Sequence, residues 1–377
     1  MRSRTRWEYL ARSPRVLWDI LFRGRYDFTF DLMPMQAEEM DLGKRLNLLA
    51  SGMNLCYRRA LPWSWPIRLQ VELVNFCNLR CPVCPTGTRQ LDRPPEALDL
   101  ALYEEVMEEV GPYLLTVTLW AWGEPLLHPR FAEAVHIAKE HGVLSLLSTN
   151  GQNLDNSRVL DDLIGEPPTY LIVAIDGLTN ETCSLNRPGA RLEPALEGVR
   201  RLAALKRERC QEFPLLHMRY IVTKHNQHEL SRVRQFAEKN RFDFLSIRSL
   251  VIIDSDESEH RARVPDLELF RAYEYDGGRR VRRSDYVCQH AFLYPAILSN
   301  GIIVPCDQDY NARHAYGRIG ADGSFGDIWF GRRAADVRRT IRTARECFSC
   351  CRNCPFADRP ARSASVQAFD LRNGGAQ

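Results

Sequence analysis

The chain has 377 residues, of which 45% are hydrophobic, so it is long enough to bury a core as one large domain or two ordinary ones. Lysine and arginine exceed aspartate and glutamate by only three, which argues against a dedicated nucleic-acid-binding protein. No apolar run approaches the roughly 20 residues that span a bilayer, and no secretory signal pattern is present, so we expect a cytoplasmic protein without a transmembrane segment.

The first 66 residues differ in character from the rest of the chain. Four tryptophans lie among many arginines, and helical patterning is broken at Pro14, Pro34 and Pro62. We predict a helical extension over residues 1–66 whose helices pack on the outside of the next domain. The alternative is an amphipathic surface that faces a membrane or a lipid-like substrate.

From residue 67 to 250, short β-rich runs alternate with amphipathic helical patterns. This alternation predicts a parallel α/β sheet covered by helices, either doubly wound or curled into a full or partial barrel. Six strands are too few for a closed eight-stranded barrel. The predicted strands are residues 69–74, 115–121, 143–148, 170–175, 218–223 and 242–250.

The remaining third of the chain divides by composition. Residues 251–285 are rich in charged residues, which predicts a solvated linker. Residues 286–358 are rich in cysteine and predict a small second domain. The tail over 359–377 contains mostly Ser, Ala, Gly, Gln and charged residues, and we predict that it is disordered.

Polar residues and glycines follow five successive predicted strands. In parallel α/β folds the loops after the strands meet at one edge, so ligands bind there. We therefore expect these segments to surround one site. They are residues 77–84 (CNLRCPVC), 122–125 (WGEP), 148–151 (STNG), 176–177 (DG) and 224–226 (KHN).

Three cysteines, Cys77, Cys81 and Cys84, lie in the first of these segments. Their spacing also fits one face of a helix, but Pro82 and Pro85 argue against a helix because proline lacks the amide donor. Structural zinc prefers four protein ligands, and no fourth Cys or His lies nearby in sequence. Iron-sulfur clusters bind cysteine thiolates at such spacings, which would leave one iron without a protein ligand.

This arrangement resembles the signature of radical S-adenosylmethionine (radical SAM) enzymes. The resemblance covers roughly residues 67–250 and implies a partial (β/α)6 TIM-like barrel whose 4Fe-4S cluster binds S-adenosylmethionine. It implies that Gly123 and Glu124 support the methionine amino group, that Ser148 and Asn150 contact the ribose, and that Arg187 reaches the methionine carboxylate. The ordinary alternatives are a surface carboxylate, a helix cap and a surface arginine, respectively.

Six further cysteines gather late in the chain and resemble the C-terminal SPASM or shorter twitch extension of this family, which binds auxiliary 4Fe-4S clusters. The run 298–306 (LSNGIIVPC) predicts a hairpin whose Asn-Gly turn favours positive φ at Gly301 and brings Cys288 and Cys306 together. Six thiols are too few for two complete clusters and imply one. The expected ligands are Cys288, Cys306, Cys351 and Cys354, with Cys347 and Cys350 as either the true pair or spares. Zinc bound by the same thiols is the alternative.

Asp307 directly follows Cys306. In some peptide-oxidising relatives an aspartate at this place is proposed as the base that removes a substrate proton, so the resemblance makes Asp307 the candidate catalytic residue. A carboxylate that supports the cluster loop is the alternative.

The resemblance implies reductive cleavage of S-adenosylmethionine, hydrogen abstraction from a substrate, and an electron donor such as flavodoxin or ferredoxin. We predict the oxidation of a small molecule with the auxiliary cluster as electron acceptor. Maturation of a ribosomally made peptide is the competing enzyme function. A non-catalytic iron-sulfur or zinc protein is the alternative of another class.

Overall fold

A ten-stranded, mostly parallel sheet forms the centre of the protein. The structure is a computed structural model that describes residues 6–252, 262–272, 275–276, 279–280, 288–352, 354, 356 and 364–372. The strands in chain order are β1 (Tyr26–Phe30), β2 (Met33–Ala37), β3 (Arg68–Val71), β4 (Thr116–Thr118), β5 (Leu144–Thr149), β6 (Tyr170–Ala174), β7 (Leu215–Val222), β8 (Phe244–Ser249), β9 (Tyr275–Asp276), β10 (Arg279–Arg280), β11 (Ala296–Ile297), β12 (Ile302–Val304), β13 (Gly317–Arg318) and β14 (Ser365–Asp370).

Six parallel strands, β3 to β8, lie side by side in chain order within this sheet. Each of the six predicted strands is present, with shifted ends, and the predicted partial barrel is confirmed. The full order is β13-β12-β11-β3-β4-β5-β6-β7-β8-β14, while β1 with β2 and β9 with β10 form separate two-stranded sheets.

Amphipathic helices cover the outer face of the sheet. In α3 the buried side chains recur every three or four residues, so that one face packs on the sheet, and Asp99 accepts a hydrogen bond from the Ala101 amide at its start. The longer helices are α1 (Arg6–Arg23), α2 (Leu42–Tyr57), α3 (Leu100–Val110), α4 (Phe131–Glu140), α5 (Ser157–Gly165), α6 (Asn180–Asn186), α7 (Leu192–Glu208) and α8 (Leu230–Lys239). Helices of the C-terminal domain are His290–Leu293, Phe325–Trp329, Arg332–Thr343 and Ser349–Arg352, and 3-10 turns are Gly111–Tyr113, Pro125–Leu127, Gln227–Glu229, Glu268–Phe270 and Arg345–Cys347.

The N-terminal extension contains a β-hairpin between two helices, so the prediction of a helical extension over 1–66 is wrong for residues 26–37. Strands β1 and β2 pair antiparallel around a turn at Asp31 and Leu32, which both have positive φ. Met33 and Met35 pack on the inner face of the barrel sheet. The alternation of apolar residues in these short strands was the available signal, but Pro34 was interpreted only as a helix break.

The C-terminal domain extends the barrel sheet at its first edge. Strand β11 pairs in parallel with β3 and antiparallel with β12. The predicted hairpin is confirmed, because Gly301 has a φ of 76° and its amide donates to the Leu298 carbonyl at 2.8 Å.

The tail was predicted to be disordered over 359–377, and this is wrong for residues 364–372. Strand β14 pairs antiparallel with β8, and Val366, Phe369 and Leu371 pack against the main core. The many Ser, Ala and Gln residues of the tail made its average composition polar, and this obscured the short apolar pattern of β14.

The predicted linker over 251–285 lies largely outside the described residues. Along the described chain, no helix has the length and apolar character needed to cross a membrane.

A buried ion pair joins the barrel to the C-terminal domain. Arg93 Nη1 lies 2.8 Å from Glu72 Oε2, and both side chains are buried. The same carboxylate accepts from the Ser299 amide at 3.0 Å, and Arg93 Nε donates to the Tyr310 carbonyl at 2.8 Å. Glu72 and Arg93 both belong to the barrel segment, and each also forms a hydrogen bond with the backbone of the C-terminal domain.

We expect Glu72→Gln to lower the free energy of unfolding by about 3 kcal/mol, because it leaves the buried Arg93 guanidinium without its counter-charge. Urea denaturation followed by circular dichroism measures the change. The matched control is Arg313→Gln, which removes an exposed pair with Asp92 and should cost less than about 1 kcal/mol. Equal losses in the two variants would contradict the importance of the buried pair.

Candidate active site

The loop after β3 brings the first three cysteines together. The Cys84 amide donates to the Cys81 carbonyl at 3.2 Å, and the Leu79 amide donates to Cys77 Sγ at 3.4 Å. The three thiols interact electrostatically with one another. Burial raises the pKa of Cys77 to about 12 and also raises the pKa of Cys81. Three converging thiols on a loop stabilised by its own amides are a donor set that fits an iron-sulfur cluster.

Gly123 allows the second loop to pack directly under the cysteine loop. A Cβ at this position would lie 2.0 Å from the Val74 carbonyl oxygen and 2.9 Å from that of Phe76. The next amide, that of Glu124, donates to the Phe76 carbonyl at 3.0 Å. Only glycine fits this approach of two backbones.

The Glu124 side chain is 3% exposed, so the alternative of a surface carboxylate is wrong. Its carboxylate accepts from Thr149 Oγ1 at 2.7 Å, from the Asn150 amide at 2.7 Å and from the Leu126 amide at 3.2 Å. Burial raises the pKa of Glu124, and these hydrogen bonds oppose that shift. Glu124 thus ties the end of β5 to the cysteine loop.

Ser148 and Asn150 lie at the end of β5, on the same edge. Asn150 Nδ2 donates to Asn78 Oδ1 at 2.8 Å and lies 3.6 Å from Cys77 Sγ, so this side chain contacts the cysteine loop directly. The helix-cap alternative is wrong for both residues, because Asn156 caps the following helix α5. Ser148 Oγ accepts from Arg219 Nη1 at 3.4 Å.

Arg187 lies beside the first thiols with only 15% of its side chain exposed, so the alternative of a surface arginine is also wrong. Its Nε donates to Asp176 Oδ2 at 2.6 Å, and the guanidinium interacts electrostatically with Cys81. Burial opposes the charge on Arg187, but Asp176 outweighs it and raises the Arg187 pKa. Asp176 Oδ1 also accepts from the Ile221 amide at 2.8 Å, which fixes the pair between β6 and β7.

In the C-terminal domain, the thiols of Cys288 and Cys306 interact electrostatically with each other and with those of Cys351 and Cys354. Burial raises the pKa of Cys288 to about 12 and that of Cys306 above its ordinary value.

The other two late cysteines differ from each other. Cys350 is buried and donates a hydrogen bond to Cys351, which lowers the Cys351 pKa, whereas Cys347 is exposed. Within the described part of the chain, no three Cys, His, Asp or Glu side chains form a group for a single metal ion.

Asp307 lies between the late thiols and the barrel. Its carbonyl accepts from Trp122 Nε1 at 2.6 Å, and its carboxylate accepts from Gln308 Nε2 at 3.1 Å and from Gln70 Nε2 at 3.5 Å. It also interacts electrostatically with the half-buried His290. Asp309 differs, since its carboxylate accepts from the backbone amides of residues 313 and 314 and supports a turn.

A charged cluster that was not predicted from the sequence lies inside the barrel. Asp31, at the tip of the N-terminal hairpin, forms ion pairs with Arg219 and with Arg248, and it interacts electrostatically with Arg68. Burial opposes the charge on Asp31, but the arginines hold its pKa well below the usual range. Burial lowers the pKa of Arg219 to about 10. The available signal was the alternation of His217 and Arg219 in a strand that is otherwise apolar.

Residues 71–237 match the radical SAM superfamily, and residues 288–355 match SPASM, an iron-sulfur cluster-binding domain. The chain contains a radical SAM domain followed by a SPASM domain. The first match includes the Cys77 loop, and the second includes all six late cysteines. A radical SAM enzyme with a SPASM domain uses a 4Fe-4S cluster with S-adenosylmethionine and auxiliary iron-sulfur chemistry, so the predicted cofactors are confirmed.

Two curated relatives illustrate the range of radical SAM enzymes that this chain resembles. Pre-heme d1 synthase of Dinoroseobacter shibae is 27% identical over 218 residues, covering 55% of this chain and 51% of the relative. Mycofactocin maturase of Mycobacterium ulcerans is 27% identical over 174 residues, covering 46% of this chain and 45% of the relative. The chain spans about half the length of these relatives.

The solved structure of Streptococcus suis SuiB bound to S-adenosylmethionine has the same fold. Its TM-score is 0.58 at 15% identity, and the likeness covers 81% of this chain and 75% of SuiB. At 15% identity this likeness shows the fold alone.

We expect Gly123→Ala to lose most of the iron bound at the first cysteine loop, because the added Cβ would displace that loop from the Val74 carbonyl. Iron and sulfide counts after anaerobic reconstitution measure the loss. Gly165→Ala is the matched control, since no atom lies within 4 Å of a Cβ built there. Full iron content in Gly123→Ala would contradict the close approach.

Proposed function

We propose that this radical SAM enzyme oxidises a small anionic molecule by removing hydrogen from it. In this proposal Cys77, Cys81 and Cys84 hold the cluster that binds S-adenosylmethionine. One auxiliary cluster is held by Cys288, Cys306, Cys351 and Cys354. The donor chemistry supports both assignments, because each set consists of thiols that interact electrostatically within the set.

The bound cluster and S-adenosylmethionine supply a 5′-deoxyadenosyl radical, which can abstract hydrogen from an unactivated carbon. Around them, Gly123 and Glu124 support the methionine amino group, Ser148 and Asn150 contact the ribose, and Arg187 reaches the methionine carboxylate. The buried Glu124 carboxylate and the largely shielded Arg187 guanidinium support these roles, because a charged group that is shielded from water interacts strongly with an opposite charge. An electron donor such as flavodoxin or ferredoxin belongs to the same proposal.

After a hydrogen atom has been abstracted from the substrate, Asp307 would accept the departing proton at its carboxylate oxygens, and the electron left on the substrate would pass to the auxiliary cluster. Gln70 and Gln308 orient this carboxylate by their amide groups, and the backbone of Asp307 is fixed by Trp122. Its position next to Cys306 and against β3 is the observation that carries the oxidative assignment. A base held within hydrogen-bond reach contributes roughly 100-fold or more to a rate.

The N-terminal hairpin supports a small substrate in preference to a peptide. It fills one end of the inner face of the barrel, where Met33 and Met35 pack on Tyr170 and Phe244. Tyr170 also donates to the Pro34 carbonyl at 2.7 Å, which holds the hairpin in place. The hairpin therefore reduces the room inside the barrel.

Charge inside the barrel supports an anionic substrate. Three guanidinium groups, those of Arg68, Arg219 and Arg248, interact with the single carboxylate of Asp31. Buried charges are normally paired, so a carboxylate or phosphate of the substrate would complete the balance. Arg219 also donates to Ser148, the residue proposed to contact the ribose, at 3.4 Å.

The substrate class is tested with the reconstituted enzyme, reductant and S-adenosylmethionine. A metabolite extract is separated by size and by anion exchange, and 5′-deoxyadenosine release is measured for each fraction. We expect stimulation by a low-mass fraction that anion-exchange resin retains. Stimulation by a peptide fraction alone would replace the proposal with peptide maturation, and zinc in place of iron would favour the non-catalytic alternative.

We expect Cys81→Ala to abolish 5′-deoxyadenosine release and to reduce bound iron by about half, since about four of eight irons belong to each cluster. Cys306→Ala should lose the other half and keep the first site. Cys56→Ala, which changes an exposed cysteine in α2, is the control and should match the parent protein. Iron counting and chromatography of the nucleoside products separate these outcomes.

We expect Asp307→Asn to lower the yield of oxidised substrate about 100-fold while 5′-deoxyadenosine release continues, because the change removes the proton acceptor and keeps the shape. The ratio of oxidised product to 5′-deoxyadenosine measures this uncoupling. Asp336→Asn, an exposed carboxylate of the same domain, should leave the ratio unchanged. An unchanged ratio in Asp307→Asn would assign Asp307 to loop support only.

A further inference from the structure

Helix α1 presents large apolar side chains to solvent. Trp18 is 55% exposed and Phe22 is 65% exposed, and their rings lie 4.3 Å apart between centroids. Val16, Leu17 and Leu21 are also exposed on this helix. We call these five residues the α1 patch. A cluster of exposed aliphatic and aromatic side chains of this kind marks an interaction surface.

The rest of the protein fixes α1 in this orientation. Ile20 is the buried side chain of the helix end and packs with Met40 and Leu48. Arg45 Nη1 donates to the Leu21 carbonyl at 3.0 Å, and the chain turns away at Gly24, whose φ is 62°. Because one side of α1 is anchored by these contacts, the α1 patch faces outward as part of the fold.

Helix α2, which packs against α1, carries a second exposed apolar stripe. Its members are spaced four, seven and four residues apart, so they share one face of the helix. They are Leu42, Leu46, Met53 and Tyr57. Trp63 packs edge-on against Tyr57 and is half exposed.

Positive charge accompanies the α1 patch. Residues 1–25 contain seven arginines and only two acidic residues, whereas the whole chain carries a net charge of +3. Arg15 and Arg23 are exposed on α1 and both form ion pairs with Asp19, so these two arginines and Asp19 together leave one positive charge. Basic side chains next to exposed Trp, Phe and Leu are the composition of helices that lie in the interface of an anionic membrane.

We propose that α1 binds the surface of an anionic lipid bilayer, with Trp18 and Phe22 inserted at the level of the headgroups and the arginines extended to lipid phosphates. Long arginine side chains reach the headgroup layer while the apolar residues enter the acyl boundary. A symmetric contact between two copies is disfavoured, because it would bring two arginine-rich segments together. The proposal is independent of the reaction that the enzyme performs.

The test is sedimentation of the full, reconstituted protein with vesicles of equimolar phosphatidylcholine and phosphatidylglycerol, compared with phosphatidylcholine alone. We expect binding to the anionic vesicles, weaker binding to the neutral ones, and release at high salt, because screening weakens the arginine contacts. Trp18→Ser with Phe22→Ser should lower the partition coefficient at least tenfold, since it removes the inserted side chains.

The matched control is Leu267→Ser with Leu269→Ser, which removes two exposed leucines, 43% and 62% exposed, from another part of the surface. This control should bind vesicles as the parent protein does, and far-ultraviolet circular dichroism confirms that both double variants are folded. A separate variant, Arg15→Gln with Arg23→Gln, should lose the preference for anionic vesicles.

Three outcomes overturn the proposal. The first is no sedimentation of the parent protein with either vesicle. The second is that the Trp18 and Phe22 double variant binds vesicles as well as the parent protein does, or that the parent protein binds neutral and anionic vesicles equally. The third is that light scattering finds the parent protein dimeric and the double variant monomeric, while the parent protein does not bind vesicles. This result would assign the α1 patch to a contact between two copies.

Discussion

The parallel pairing of β11 with β3 determines where the late cysteines lie relative to the Cys77 loop. This pairing makes the SPASM domain a continuation of the barrel sheet, and the buried pair of Arg93 and Glu72 reinforces it. Asp307 can reach the Gln70 side chain only because β3 and the hairpin that ends at Cys306 are neighbours in one sheet. Loss of this junction would separate the proposed proton acceptor from the barrel interior without touching either set of thiols.

The N-terminal hairpin gives the barrel interior its chemical character. Its methionines close one end with apolar contacts, and Asp31 at its tip gathers arginines from β7 and β8. A carboxylate brought in by a separate segment thus organises the cations that the barrel strands contribute. The same N-terminal segment forms both the inner end of the barrel and, through α1, an exposed face of the molecule.

Local sequence was sufficient for the barrel strands and for the site loops, because strand periodicity and the Cys77 to Cys84 spacing are short-range patterns. It also located Gly123, whose neighbours permit no Cβ. It failed where distant segments meet. The Asp31 cluster joins residues almost 190 positions apart, and β14 forms only because β8 offers an unpaired edge. Neither the composition nor the local periodicity of a segment shows which distant segment it will contact, so neither predicts the arginines of the Asp31 cluster or the pairing of β14 with β8.

The tail strand β14 has a consequence for biosynthesis. It supplies the last neighbour of β8, whose backbone groups on that side have no strand beside them until residues 364–372 have been made. During translation the barrel therefore emerges from the ribosome with an open edge, and the whole SPASM segment must follow before that edge is covered. A chain that lacks β14 would leave the backbone groups at the outer edge of β8 unpaired and so become prone to self-association.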